Sequence, residues 1–446
     1  MIENEIGLWG DPWWLILIKA IIFFALPLLM AIVTVWYERR LLAFMQSRLG
    51  PNMAGPIGLL QPMSDGVKTI FKEDFMPKGV DKFVFTLAPF ITGTAAFTTW
   101  SVLPLGGRVS IFGHETQLQN GDLPVAVLFI LAVAGLGTYG LVLAGWSSTS
   151  RYSLLGGLRA AAQMISYEIS MGLAVVAVVL VAGTMSTLGI VEAQSETLTL
   201  FGWESPLPAW NFLILMPAFL IFCVTMLAEA NRAPFDMPEC ESELVGGYGT
   251  DYSGFRFAMF YLGEYMNMGT LSAICATLFL GGFHAPWPLN GTALDGGWWG
   301  IMWFIIKVAI MLFFFIWVRA TVPRYRYDQL MDVGWKTLLP LALGFLMVEA
   351  IYLKARQLSV PDSFLRDDAT LVGLVIVFLI VAYVVLAVQR QATERKLATP
   401  YRVRNIAELD PTIFPLPELD GKKFGATNGD YDTAALTTSA RKKELS

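Results

Sequence analysis

Nine stretches of apolar residues, each close to twenty long, constrain this chain more than any other feature. They run at roughly 12–36, 83–104, 124–146, 164–185, 210–228, 256–281, 298–320, 337–354 and 369–389. A bilayer core of about 30 Å is crossed by about 20 apolar residues of helix, so each reads as a transmembrane span. Composition agrees: 55% of the 446 residues are hydrophobic and only 15% charged, against about 25% charged in soluble proteins. A soluble enzyme, a nucleic-acid binder and a disordered scaffold are excluded as whole-chain readings. The expected fold is an all-α integral membrane protein of about nine helices.

Orientation follows from where lysine and arginine fall. One set of loops carries Arg39, Arg40, Arg48, Lys68, Lys72, Lys78, Lys82, Arg151, Arg159, Arg232, Arg256, Arg319, Arg324, Arg326 and Lys336. The opposite loops carry Arg108, Lys354, Arg356 and Arg366. The amino terminus is therefore expected outside and the carboxyl terminus in the cytoplasm. Residues 390–446 are polar and rich in both charges, so the membrane domain is read as 1–389 and the remainder as a cytoplasmic tail, disordered or docked on a partner. The acidic start, MIENEIGLWGDPWW, lacks a basic n-region and reads as retained sequence.

Cysteines 223, 240 and 275 are far apart, with no CxxC, and the histidines are only His114 and His284. No iron–sulfur or metal site is encoded in that pattern, and paired haem ligands are lacking. Gly135, Gly137 and Gly140 fit GxGxxG but lie inside an apolar span after no strand, where close helix packing explains them better than a nucleotide. Asn290-Gly-Thr292 is a glycosylation sequon on the outer side.

The informative segments are the basic, cytoplasmic-side loops. In the first, Leu60, Met63, Val67, Ile70 and Phe71 recur at helical spacing with Ser64, Asp65, Lys68 and Lys72 opposite. This is an amphipathic helix for the membrane interface, either a connector or a gate for a lipid-like ligand. Arg40 reads as a positive-inside anchor. The third loop, AEANRAPFDMPECESELVGG, crowds Asp236, Glu239, Glu241 and Glu243 after Glu229, with Arg232 the nearby cation. Crowded carboxylates raise one another's pKa and can carry protons; a solvated acidic loop is the plain alternative. Glu168 and Glu264 lie inside spans, where an ionisable residue signals function. Lys307 belongs with them or pairs with one of them, and Lys19 is left without assignment. The loop WVRATVPRYRYDQLMDVGWK clusters Arg319, Arg324 and Arg326 with tyrosines, suiting a cytoplasmic protein, a polar headgroup or anionic lipid.

Taken together, the runs YERRLLAFMQSRLGPNMAGPIGLLQPMSDGVKTIFKED, GWSSTSRYSLLGGLRAAAQMISYEIS, AEANRAPFDMPECESELVGG, FYLGEYMN and WVRATVPRYRYDQLMDVGWKTLLP resemble one family. It is the membrane subunit of respiratory complex I that forms the quinone chamber, the H subunit of the bacterial NADH-quinone oxidoreductase and subunit 1 of the mitochondrial NADH dehydrogenase. Ala43 and Cys240 stand where that family commonly has glycine, and the tail exceeds its minimal pattern. The resemblance implies a quinone tunnel lined by Glu38, Arg39, Arg48, Asp65 and Lys68, with Arg232, Arg319, Arg324 and Arg326 toward the peripheral interface. It also implies an acidic proton path through Glu168, Glu229, Asp236, Glu239, Glu241, Glu243 and Glu264. Quinone is the implied substrate, with no cofactor bound by this chain. Flavin and iron–sulfur clusters reside in partner subunits, and other partners are small membrane and antiporter-like subunits and lipid, in a bacterial plasma membrane. Alternatives are the homologous membrane subunit of an energy-converting hydrogenase, which binds no quinone, and an independent ion transporter.

The charge bias generates a test. A cysteine introduced at Ser446 is expected to resist an impermeant thiol reagent in intact cells and to react in inside-out vesicles; the reverse would invert the topology.

Overall fold

A computed structural model of the chain describes residues 11–200, 203–238, 241–292, 294–358, 370–371 and 373–383. The chain divides into a unit over Met1–Ala382, which holds the helical body, and a second over Tyr383–Ser446. The tail expected over 390–446 lies outside the described residues.

The body is built of helices. Its long members are α1 (Trp13–Met45), α3 (Lys82–Trp100), α4 (Ala126–Ser147), α5 (Arg151–Ala182), α10 (Gly254–Phe279), α11 (Trp299–Thr321) and α13 (Leu339–Leu358). Shorter ones are α2 (Gln61–Ile70), α6 (Thr187–Ala193), α7 (Asn211–Ile214), α8 (Met216–Glu229), α9 (Glu241–Leu244) and α12 (Tyr327–Asp332). Among the described residues six helices are long and apolar enough to cross a membrane, counting α12 through α13 as one continuous element over Tyr327–Leu358. A π-helical segment over Val333–Leu338 joins those two.

The other three expected spans have a different form. The stretch at 210–228 is broken at Leu215 into α7 and the 14-residue α8, which spans only about 21 Å. Helix α10 has 26 residues and length to spare, but carries Arg256, Glu264 and Asn267 along an otherwise apolar sequence. For the last stretch only Gly373–Tyr383 is a described helix.

Helices α1 and α5, with 33 and 32 residues, are each about 50 Å long. Both therefore outrun a bilayer core of about 30 Å. The end of α1 bears Glu38, Arg39 and Arg40, and the start of α5 bears Arg151 and Arg159. Alternating chain direction puts these two ends on the same side, where they frame the polar loops.

Two antiparallel hairpins interrupt the all-α expectation. Strands β1 (Arg108–Ile111) and β2 (His114–Gln117) pair Arg108 with Gln117 and Ile111 with His114. Phe112 and Gly113 turn between them with φ of 51° and 84°, the left-handed pair that a two-residue hairpin requires. Strands β3 (Thr197–Leu200) and β4 (Trp203–Pro208) form the second. Both lie in loops that lack long apolar runs, where pairing strands satisfies backbone groups that no helix can. Lys19, left unassigned from sequence, reaches Asp11 and Thr116 at 2.5 Å each and ties α1 to the first hairpin.

The three glycines of the GxGxxG match are packing positions in α4. A Cβ on Gly140 would stand 2.2 Å from Thr92 Oγ1 and 2.9 Å from the Ala88 carbonyl oxygen of α3. Farther along, a Cβ on Gly145 would meet the Gly157 Cα of α5 at 3.0 Å. Glycine lets the backbones meet, as small residues do in membrane helix pairs.

Gly140→Ala must push α3 and α4 apart and is expected to cost about 1–3 kcal/mol. Gly172→Ala, where nothing lies within 4 Å of the new Cβ, serves as the control. Thermal unfolding of the detergent-solubilised protein compares them, and an equal midpoint for both would refute close packing at Gly140.

Candidate functional site

The site forms where the end of α1 meets the loop after α8. Arg232, 8% exposed, projects from that loop. Its Nε lies 2.9 Å from Glu264 Oε1 of α10, and its Nη2 lies 3.6 Å from Glu38 Oε2 of α1. Glu38 also pairs with Arg319 from the end of α11. Two carboxylates thus face two guanidinium groups, and the four charges sum to zero. The Arg232 guanidinium sits 4.1 Å above the Tyr265 ring, a cation–π contact, and Tyr261 donates to the Tyr265 hydroxyl at 3.1 Å.

Burial alone would lower the pKa of Arg232, but Glu264, Tyr265 and Tyr261 hold it above the ordinary guanidinium value. It is a permanent buried cation. The loop that carries it is fixed by Gln163 of α5, whose Nε2 donates to the carbonyls of Ala228 and Phe235 at 2.7 Å each. Gln163 lies within the run GWSSTSRYSLLGGLRAAAQMISYEIS, where the family resemblance implies no role for it. Its signal is a lone amide in an apolar helix, and it is fully buried.

Around this quartet, the expected residues fall into three groups. The first fixes the interface helix. Arg39 pairs with Asp65 at 2.5 Å, and Gln61 donates to the same carboxylate at 3.1 Å. The apolar side of α2 is open, with Met63 56% and Ile70 52% exposed, as suits a helix lying on lipid. Arg48 and Lys68 stay on the exposed surface, and Arg48 donates to Gln46 at 2.8 Å. Neither is brought to the quartet.

The second group is the acidic loop. Here the fold supplies cations that the local sequence lacks. Asp236 pairs with Arg324 at 3.0 Å, and Glu243 pairs with Arg159 of α5 at 2.7 Å. Phe235 stacks on Tyr325 at 5.8 Å, so the loops 230–238 and 322–326 hold each other. Arg326 is exposed and paired with Asp328. Glu239 falls outside the described residues, as does the side chain of Glu241.

The third group lies within the helices. Glu229 is 1% exposed, ends α8, and has Glu168 within electrostatic reach. Glu168 is half-buried against α4, where a Cβ on Gly135 would come within 3.1 Å of its Oε1. Gly135 leaves room for that carboxylate, a second use for the same glycine run. Lys307 is buried elsewhere: it donates to the carbonyls of Gly282 and His284 at 2.9 and 2.7 Å and lies 4.2 Å from the Trp210 ring. Glu349 is 1% exposed in α13, with neither carboxylate oxygen hydrogen-bonded among the described residues. Among those residues no three His, Cys, Asp or Glu side chains converge as a metal site would need.

Residues 18–350 match the family described as NADH dehydrogenase. The chain belongs to that family. It is 54% identical over 376 residues to the H subunit of the NADH-quinone oxidoreductase of Cutibacterium acnes, covering 83% of this chain and 84% of that protein. It is 46% identical over 429 residues to the corresponding protein of Streptomyces avermitilis, which carries the same name, covering 94% and 90%. The family resemblance read from the loops is therefore shown, and the matched span contains the whole quartet.

The Arg39–Asp65 pair has a pH dependence of known sign. Burial pushes the Asp65 pKa up, but hydrogen bonds from Arg39 and Gln61 and the charges of Arg39 and Lys68 outweigh it and hold it below the usual value. A depressed carboxylate stabilises the docked state above its unfolded pKa of about 4 and loses that contribution as pH falls through the folded value. Amide exchange across residues 61–70 is expected to rise below about pH 4 in the intact protein, and Asp65→Asn to show the faster exchange at neutral pH. Exchange in Asp65→Asn matching the wild type at pH 7 would remove the pair's anchoring role.

Proposed function

We propose that this chain is the quinone-chamber subunit of a proton-translocating NADH:quinone oxidoreductase in a bacterial plasma membrane. In this reading it crosses the membrane about nine times, with its amino terminus outside. The observation that carries the reading is the buried quartet. Glu38 sits beside Arg39, which anchors the interface helix, while Glu264 belongs to the membrane acids; Arg232 joins the two. The two relatives, each named as the H subunit of an NADH-quinone oxidoreductase, support the same assignment.

A quinone enters past α2, its apolar tail following the open face of that helix. Electrons reach it from the iron–sulfur clusters of partner subunits; two electrons and two protons convert it to the quinol. The basic residues of the 319–326 segment favour the electron-rich reduced head while its protons arrive, and Arg39 and Arg48 line the way in. Each proton that leaves a nearby group changes the charge opposite Arg232. When a group on the Glu38 side loses its proton, Arg232 moves toward that added negative charge and loosens its hold on Glu264. Glu264 then takes up a proton, and linked acids, Glu229, Glu168 and those of the 236–243 loop, re-equilibrate with it. Small membrane and antiporter-like partners receive that shift. Coupling of this kind is reciprocal: whatever protonates Glu264 favours the Arg232–Glu38 contact and so affects quinone binding.

Glu264→Gln keeps the side chain's shape and removes its charge. Turnover of NADH:quinone reduction and its proton pumping are both expected to fall about tenfold, since one pKa unit is worth about 1.4 kcal/mol. NADH oxidation by a hydrophilic artificial acceptor is expected to stay near wild type in complex normalised by native gel. Wild-type turnover and pumping in the assembled variant would sink the proton-path assignment.

A further inference from the structure

An elongated cavity runs between α3, α4, α5 and α10, with Glu264 and Asn231 at one end and Val127 and Thr187 at the other. Most of its lining is apolar, and a thread of polar groups runs along it. Glu264, Asn267, Thr270 and Thr277 share one face of α10, while Thr92 and Thr99 face the cavity from α3. From Glu264 to Thr277 the helix rises about 20 Å, two-thirds of a bilayer core of about 30 Å. Thr99, Thr270 and Thr277 donate to backbone carbonyls three or four residues earlier at 2.8–3.0 Å. That habit is common in apolar helices, and it leaves oxygen lone pairs as acceptors. Thr270 gives one of these to Trp100 Nε1; Thr99 and Thr277 keep both.

Beyond Thr187 the polar trail continues. Gln119, 3% exposed, donates through Nε2 to Thr187 Oγ1 at 3.1 Å and the Val102 carbonyl at 2.8 Å. Its Oε1 is buried with no hydrogen bond among the described residues. Asp122, on the exposed surface at that end, accepts from Ser186 at 2.7 Å. An acyl chain in such a space would leave Asn267, the threonine oxygens and the Glu264 end facing hydrocarbon, whereas water satisfies each.

We infer that this cavity is a water column through the chain itself, by which Glu264 exchanges protons with the outer face past Thr277, Thr187 and Asp122. The inference rests on the proton-carrying role given to Glu264 above. The transfer is a proton relay only: the Glu264 carboxyl gives up H⁺ to the first water, and the last water releases one at Asp122. Arg232 closes the inner end, because a buried permanent cation repels hydronium. The column therefore opens to one side.

The test uses the assembled complex and does not depend on turnover. In a background of Cys223→Ala, Cys240→Ala and Cys275→Ala, single cysteines replace Thr99, Thr277 or, as a dry control, Ala273. Intact cells are exposed to Ag⁺, and free thiols are then counted with maleimide after denaturation. Thr99→Cys and Thr277→Cys are expected to be blocked at least tenfold faster than Ala273→Cys, and tenfold slower when Ag⁺ is added to inside-out vesicles. Rates equal to the control, or equal from both sides, overturn the column. A second measurement needs no substitution. Hydroxyl radicals generated from bound water by X-ray pulses should oxidise Met171, which lines the cavity, at least tenfold faster than Met226, which does not; equal oxidation overturns the proposal. Loss of the Glu264→Gln effect would leave both readouts unchanged, so failure of the proton path and failure of the column are told apart.

Discussion

Arg232 is the residue on which the arrangement depends. A guanidinium removed from water costs several kcal/mol unless anions face it, so Glu38 and Glu264 must both be in place for the loop after α8 to fold inward. This fixes three helices against each other: α1 through Glu38, α10 through Glu264, and α11 through Arg319, which shares Glu38. Gln163 supplies the fourth restraint from α5. Removing one partner of such a cluster costs about 3–5 kcal/mol, yet replacing the whole by apolar residues is often neutral or stabilising. Stability alone therefore gives a chain no reason to keep the quartet.

What could be read from the sequence was what helical geometry makes local. Twenty-residue apolar runs mark spans because length and composition suffice, and the spacing from Leu60 to Phe71 marks α2 because one turn separates the residues of a face. The glycines at 135–140 also read correctly as packing, since no strand precedes them. The breaks came where tertiary contact decides. Residues 210–228 look continuous, yet the backbone interrupts the helix at Leu215. The acidic loop looks short of cations because Arg159 and Arg324 lie more than 80 residues from the acids they meet. Glu349 could not be told from a charge at a helix end, because its burial depends on what packs around α13. The hairpin at 108–117 carries its signal only in the Phe112-Gly113 turn.

Glu38 and Arg39 are consecutive, so about 100° of helix rotation separates their side chains. One reaches inward to Arg232, and the other outward to Asp65 of the interface helix. The two pairs differ in kind. Arg39–Asp65 is partly exposed, with side chains about 40% accessible, and such pairs contribute little to stability. Glu38 is buried at 4%, where the same Coulomb interaction is far stronger.

The geometry of the quartet shows which contact yields. Arg232 stands 2.9 Å from Glu264 but 3.6 Å from Glu38, outside hydrogen-bond range and inside that of an ion pair. Glu38 is held in addition by Arg319. A shift of the guanidinium by less than 1 Å would exchange the long contact for the short one without moving either helix. Glu38 would keep Arg319 through that exchange, while Arg232 would draw away from Glu264. The four charges are therefore held unequally: Glu38 by two guanidinium groups, with the shorter Arg232 contact going to Glu264.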